Sequence, residues 1–590
     1  MLNLVHVTHE AVHKVGGIGA VLEGLITSTA YAESVARTML LCPLFAIDGD
    51  VDARLGPQGE VFFSSVDGRC DHRLGGVFGQ IEKQYGVGIV YGRRQLRDSL
   101  TGGSQDVEVV LVDVRSMVQD EIDKLKFRLN ESFGLDSTRY EENWDYEMYL
   151  RLAEPGLAAA RAIGLQADGR ECVVVAHEFM GMATALAAKL HPDWDLKTAY
   201  HAHEVSTARR IVEEHSGHDT MFYNVLAKCG EQGLSLGDIF GDQSGYYRHA
   251  LTEASRHLDV TLAVGDYVVE ELRALSPEMA HSNIHLCYNG IPVHEIDMES
   301  AARSKGRLQD YAGALLGERP DYIFTHVTRL VPSKGLWRDI LVMQSIERAL
   351  RKSGDTAVLF VLSTEVGGPR SREDILHMER WWDWPVAHRE GLPDLSDGEA
   401  LFYQGVQGFN ARSRNCKIVF INQFGFDRAT CGDRMPGEME FWDIRKGSDV
   451  EFGQSIYEPF GIAQLEALSF GSICVMSSVC GCRFFASKSA GDEESPNLIV
   501  ADYTDYQVSP DTIEGYTSCP REVREQFDVQ VAERVAQEVI ERLPRDDEKK
   551  ALLIKRGYEI ASRMSWDAVA RDHFLPALRE ITGVRCPTGV

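Results

Sequence analysis

Residues 455–471, SIYEPFGIAQLEALSFG, place Glu458 and Glu466 eight positions apart in an otherwise apolar run interrupted by Pro459 and Gly461. Upstream, SDVEFGQS (448–455) reads as a strand, and Pro459 with Gly461 marks a turn. Ile462 to Phe470 is expected to begin a helix with Leu465 and Leu468 directed inward. Glu458 then sits in a loop at a strand end, and Glu466, about one helical turn in, faces the same way as the exposed helix start. Each acid alone has an ordinary explanation: Glu458 as a helix cap, Glu466 on a solvated helix face. Together, beside a helix end suited to phosphate, they can accept hydrogen bonds from vicinal hydroxyls of a sugar and a ribose.

The same alternation of short apolar runs with helix-length segments extends over the chain. LNLVHV (2–7), VEVVLVDV (107–114), ECVVVAHE (171–178), KTAYHAHE (197–204), VTLAVG (260–265) and NIHLCYN (283–289) form one series. A second series follows a charged stretch at 299–310: YIFTHVTRL (322–330), TAVLFVLST (356–364), CKIVFINQF (416–424), SDVEFGQS, GSICVMSS (471–478) and PNLIVAD (496–502). Two sets of βα units predict an α/β chain with two Rossmann-like, doubly wound parallel-sheet domains facing a central cleft, with substrate at the C-terminal ends of the strands. The expected boundaries are 1–305, 306–562 and a terminal helix, 563–590, packing back towards the first domain; its SWDAVARDHFLPALREIT is helical in pattern but contains Pro576. The stretch 365–447, with Trp381, Trp382, Trp384 and Trp442, is long for a strand connection and is read as a structural cap on the second domain.

At 590 residues the chain is too long for one core. A formal charge of −28 argues against nucleic acid as a partner and favours a neutral or small anionic substrate. The twelve cysteines contain no CxxC pair, which fits reduced thiols rather than a disulfide frame or zinc ribbon. MLNLVHVTHE has neither a basic leader nor an apolar run after it, and no 18-residue uncharged apolar stretch occurs; a cytoplasmic protein without a membrane partner is expected.

Several short patterns compete as sites. His9-Glu10-Ala11-Val12-His13 matches the zinc-protease pattern, but it lies between a strand and a glycine-rich loop, with no room for the helix that chemistry needs. His201 and His203 point the same way at a strand end; two polar side chains at a sheet edge explain them more simply than a metal. Asp50/Asp52 and Asp193/Asp195 are pairs that arise readily by chance. Lys14, Gly16, Gly17 and Gly19 follow the first strand and precede an apolar-periodic helix, so glycine backbone and free N–H groups could approach a phosphate. Arg329 and Lys334 hold the corresponding place in the second domain, where two fixed cations can neutralise a leaving diphosphate without a metal.

Taken in order, these pieces resemble the glycogen and starch synthases, retaining glycosyltransferases of the GT-B architecture. The matching residues are Lys14, Gly16 and Gly17; His177, Glu178 and Phe179; Arg329 and Lys334; and Glu458 and Glu466. Asn289-Gly290-Ile291 resembles the family's domain-linking segment, and SWDAVA (565–570) its terminal helix. The resemblance implies an N-terminal acceptor domain and a C-terminal nucleotide-sugar domain. Lys14 and the Gly16–Gly17 backbone would face the diphosphate and sugar, His177 the reacting carbon, Arg329 and Lys334 the diphosphate, Glu458 the sugar hydroxyls and Glu466 the ribose. His203, Phe460 and Gly461 are expected to line the substrate. No cofactor or metal is implied; the donor is ADP- or UDP-glucose and the acceptor an α-1,4-glucan. Three residues depart from the family: Ala20 where Asp is usual in the bacterial branch, Ala463 where Thr is frequent, and Phe179 where Trp is usual. With no hydroxyl at 463, phosphate binding is expected to rest on the helix start near 462 and on Arg329 and Lys334. Transfer to a small acceptor, as in sucrose- or trehalose-type synthases, and a non-catalytic glucan-binding role are the alternatives.

Overall fold

Apolar runs without polar alternation become parallel strands buried on both faces. In the computed structural model, which describes residues 1–14, 16–46, 48–215, 219, 221–491, 495–506 and 508–584, the chain divides into two units. One comprises Met1–Ala208, Cys229–Gly290 and the segment from Trp566 onward; the other comprises Arg209–Lys228 and Ile291–Ser565.

The first unit is built on nine strands: β1 (Leu2–Val7), β2 (Val35–Pro43), β3 (Glu60–Ser64), β4 (Gly88–Arg97), β5 (Ser104–Asp113), β6 (Cys172–His177), β7 (Leu196–Ala202), β8 (Val260–Ala263) and β9 (Ile284–Leu286). They lie in the order β3-β4-β5-β2-β1-β6-β7-β8-β9. β3, β4 and β5 pair antiparallel at one edge of the sheet, and the remaining pairs are parallel, as expected of a doubly wound domain. The chain winds outward in both directions from β1 and β6, and their C-terminal ends are therefore the topological switch point.

The second unit holds β10 (Tyr322–Val327), β11 (Ala357–Leu362), β12 (Cys416–Ile421), β13 (Val450–Gly453), β14 (Ile473–Ser477) and β15 (Leu498–Ala501), all parallel, in the order β12-β11-β10-β13-β14-β15. Counted along the chain this is 3-2-1-4-5-6, the Rossmann order, with its switch point between β10 and β13. β11 shows why the run AVLFVL is unbroken. Ala357, Leu359 and Val361 face one core with helix Leu336–Ser353, while Val358, Phe360 and Leu362 face a second with Met378 and Trp384.

The 365–447 stretch packs onto both cores, with Leu395, Val406 and Phe409 on the first and Met378 and Trp384 on the second. Trp384 is fully buried and donates its indole N–H to Asn422 at 2.7 Å, and Trp382 donates to Asp394 at 2.7 Å. Pro576 is accommodated because a π-type turn, Ala570–Phe574, precedes it and places it at the start of helix Leu575–Thr582, where the missing N–H matters least. Phe574 of that segment is buried against His6 and Tyr31 in the first unit. All described cysteines are free thiols, and among the described residues no helix is long and apolar enough to cross a membrane.

The expected helix from Ile462 to Phe470 does not form. Two separate 3-10 turns occupy the stretch, Ile462–Gln464 and Leu468–Phe470, the first entered through Gly461 at φ 95. Leu465 and Leu468 are buried as expected. A turn of three residues offers no helix dipole of consequence, so an anion site cannot rest on it.

Candidate functional site

In the second unit, the loops after β10 and β13 meet at the switch point. The Ser333 carbonyl accepts hydrogen bonds from the backbone N–H of Ile456 at 2.8 Å and Tyr457 at 3.2 Å, fixing one loop to the other. Gly335, at φ 61, starts the helix after β10; a Cβ there would stand 2.6 Å from the Gln454 carbonyl oxygen. Lys334 is thereby held with its Nζ 2.5 Å from Glu458 Oε2, both side chains more than four-fifths buried. Gln464 donates to the same carboxylate at 3.4 Å and to Ser455 Oγ at 3.1 Å. The Glu458 turn is pinned from behind, since Gly481 N–H donates to the Glu458 carbonyl at 3.0 Å and Cys482 N–H to that of Phe460 at 2.8 Å. Phe460 itself is buried, and Gly461 is half-buried at the turn.

Arg329 is exposed on the loop after β10. Glu466 is half-buried and pairs with Arg445 at 2.5 Å; Arg445 also faces Glu451 at 2.6 Å, and Glu451 accepts from the Val327 N–H at 3.1 Å and from Thr325. Burial disfavours a charged Arg445, but the two carboxylates outweigh it and hold the guanidinium charged. Glu458 and Glu466 thus have separate cationic partners. No local signal in the sequence marked Arg445, Gln464 or Arg338, which is fully buried and donates to the Gln454 and Ser455 carbonyls at 3.0 and 3.2 Å.

In the first unit, β1 and β6 end at the other switch point. The loop after β1 is non-helical from Thr8 to Lys14, which disposes of the zinc-protease pattern. Glu10 is buried, and its Oε2 accepts from the N–H of Gly16 at 3.0 Å and of Gly19 at 2.9 Å, at the start of helix Gly17–Ile26. Two of the N–H groups expected to be free for phosphate are therefore already used by a protein carboxylate. Gly19 permits this approach, for a Cβ there would stand 2.5 Å from Glu10 Oε2. Gly17 is exposed, and among the described residues nothing stands within 4 Å of where a Cβ would lie; exposed Lys14 pairs with Glu23 at 2.5 Å.

At the end of β6, His177 is buried, and Glu178 turns the chain into the helix Glu178–Lys189 at φ 58, a left-handed conformation that costs about 1–3 kcal/mol for a residue with a side chain. The Glu178 carboxylate accepts from the N–H of His203 and, at 2.7 Å, of Glu204; burial, then Glu204, raises its pKa. His177 Nε2 lies 2.8 Å from His6 Nδ1, and His177 Nδ1 lies 2.9 Å from His203 Nε2. His6 Nε2 continues to Tyr31 Oη at 3.0 Å, and Tyr31 to Thr38 at 3.0 Å. Burial lowers the pKa of His6 and of His201 to about 3 and holds His177 and His203 well below the usual value, their neighbouring imidazoles adding to the effect, so all four rings are neutral at pH 7. His201 is buried on an interior strand, not at a sheet edge as the sequence suggested. Phe179 is packed among Tyr149, Tyr247 and Arg248, whose guanidinium lies 4.4 Å from its ring centre. Asp50 caps a 3-10 turn, and exposed Asp193 and Asp195 assemble no ligand set among the described residues.

These architectures have solved counterparts. The catalytic domain of starch synthase IV from Arabidopsis thaliana, bound to ADP and acarbose, superposes with a TM-score of 0.50 at 15% identity, covering 99% of each chain. The N-terminal domain of trehalose-6-phosphate phosphatase from Candida albicans gives 0.52 at 10% identity, over 98% of this chain and 96% of that one. The fold is GT-B. No protein-family model and no curated protein matches the sequence. The GT-B fold accounts for the Rossmann order of the second sheet.

Proposed function

We propose that this protein is a retaining glucosyltransferase that moves glucose from ADP- or UDP-glucose to the non-reducing end of an α-1,4-glucan. The observation that carries the reading is Lys334 set against Glu458 at the β10/β13 switch point. Arg329 and Lys334 supply positive charge for a departing diphosphate, so transfer proceeds without a metal cofactor. Glu458 is the acceptor-only group for sugar hydroxyls, and Glu466, steadied by Arg445, is the acceptor for a ribose. The unit carrying β1 and β6 is assigned the acceptor, with Lys14, Gly16, Gly17, His177 and His203 as its substrate-facing residues, and the unit carrying β10 and β13 the donor.

In the chemical step the bond from the anomeric carbon to the diphosphate oxygen breaks and a bond to the acceptor oxygen forms on the same face. The acceptor's hydroxyl proton passes to the departing phosphate oxygen. His177, a neutral imidazole held through Nε2 by His6, exchanges the His203 contact at its Nδ1 for the sugar and orients rather than titrates. The likeness to a starch synthase domain bound to ADP and acarbose supports a sugar-nucleotide reading at the level of fold. The experiment is a donor panel of ADP-, UDP- and GDP-sugars offered with glycogen, short maltooligosaccharides and glucose 6-phosphate, followed by linkage analysis. Glucan elongation is expected; transfer to the small acceptor alone would replace this reading, and glucan binding without turnover would make the protein a binding module.

A further inference from the structure

His201 is a buried group that glucosyl transfer does not use. His201 is 2% exposed, yet among the described residues neither of its ring nitrogens has a hydrogen-bond partner. A neutral imidazole carries one donor and one acceptor, and burying both unpaired is unfavourable unless something outside the protein chain completes them. The partner is suggested by what surrounds the ring. β6 and β7 pair in register with His177 opposite His201, and His203, one residue beyond the end of β7, has its ring centre 4.2 Å from that of His201. One nitrogen from each of His177, His201 and His203 lies within 4.8 Å of the other two.

We propose that His177, His201 and His203 bind a divalent transition-metal ion of the zinc type, and that the bound ion inhibits transfer by withdrawing His177 from the sugar. Three imidazoles with no carboxylate among them select zinc, cobalt, nickel or copper over calcium and magnesium, which require oxygen donors. Zinc holds imidazole nitrogens at about 2.0–2.1 Å, so the present spread closes by roughly an ångström of movement per ring. The outer shell is in place: His177 Nε2 is engaged by His6, itself engaged by Tyr31, which leaves His177 Nδ1 as its ligand atom. His203 is steadied through its backbone N–H on Glu178. The site is regulatory, distinct from the metal-free transfer assigned above; its inhibitory clause rests on that assignment, and its binding clause does not.

The test uses metal-stripped full-length protein titrated with zinc chloride by calorimetry, and with cobalt chloride by visible absorption. One equivalent of zinc and the d–d bands of nitrogen-ligated, tetrahedral cobalt are expected. His201→Leu, which removes two unpaired polar atoms at similar volume, is expected to fold, to bind zinc at least tenfold more weakly and to transfer glucose without inhibition by zinc. Should His201→Leu misfold, His201→Gln serves for the titration, and the cobalt spectrum of the unmodified protein needs no variant. Absence of zinc uptake, a cobalt spectrum without nitrogen ligation, or equal zinc affinity after loss of His201 would overturn the site. Zinc uptake with undiminished transfer would overturn inhibition. Zinc uptake by a protein that transfers no sugar from any donor would leave the site standing and remove the transferase reading with the inhibitory clause.

Discussion

Lys334 and Glu458, 124 residues apart, meet at 2.5 Å where β10 and β13 diverge. In the proposed reaction this pair sets a cation and a carboxylate at the Rossmann switch point, each to exchange its partner for a group of the substrate. Lys334→Ala and Glu458→Ala are each expected to lower turnover by at least about a hundredfold, the loss typical of one electrostatic contact made in the transition state. Steady-state kinetics with the best donor reads this, and near-normal turnover in both variants would place the site elsewhere.

The Glu458 turn depends on a close backbone approach. A Cβ on Gly481 would stand 1.9 Å from the Pro459 carbonyl oxygen. Gly481→Ala is expected to destabilise the protein by about 1–3 kcal/mol, as overpacking does, and to reduce turnover by moving Glu458. Urea denaturation followed by circular dichroism, with kinetics on the same preparation, checks both effects.

Arg445 is enclosed with Glu451 and holds Glu466. Arg445→Met strands the buried Glu451 carboxylate and is expected to cost about 3–5 kcal/mol. Adding Glu451→Gln should recover a large part of that loss without restoring donor affinity, because Glu466 still lacks its partner. Equal instability of the single and double variants would contradict the buried-charge explanation.

Asp394 ties the tryptophan-rich stretch together, accepting from Trp382, His388 and the Arg389 N–H. Burial raises its pKa, but these donors, His388 foremost, outweigh burial and the net shift is downward. A carboxyl whose folded pKa is depressed adds stability above its unfolded value of about 3.9 and loses it as pH falls through the folded value. Asp394→Asn should therefore be less stable than the native protein at pH 7, with the gap narrowing below about pH 4. A gap that widens on acidification would reverse the assignment.

The fold was largely legible because buried parallel strands announce themselves as unbroken apolar runs, LNLVHV and TAVLFVLST among them. β2, β3 and β4 are not legible: VARTMLLCP and GIVYGRRQLR mix basic residues into their strands, and the antiparallel pairing of β4 with β3 and β5 has no signature at a distance. The turn at Pro459 and Gly461 was legible, but the helix after it was not to be had: the stretch has helix-forming residues, yet folds as two short turns around buried Leu465 and Leu468. Lys14, Gly16 and Gly17 marked a helix start correctly, but occupation of its N–H groups by Glu10 depends on chain folding within the loop. Arg445 and His6 act through partners distant in sequence, contacts that only the tertiary structure reveals.

The proposed reaction is transfer with retention at a site built on Lys334. Its most direct measurement is the time course of proton NMR at the anomeric position when the protein is given its preferred nucleotide-glucose and a maltooligosaccharide. New α-1,4 anomeric signal growing in step with nucleoside diphosphate, and suppressed at least about a hundredfold in Lys334→Ala, is the expected result. A β-linked product, or α-linked product formed at the native rate by Lys334→Ala, would contradict the account.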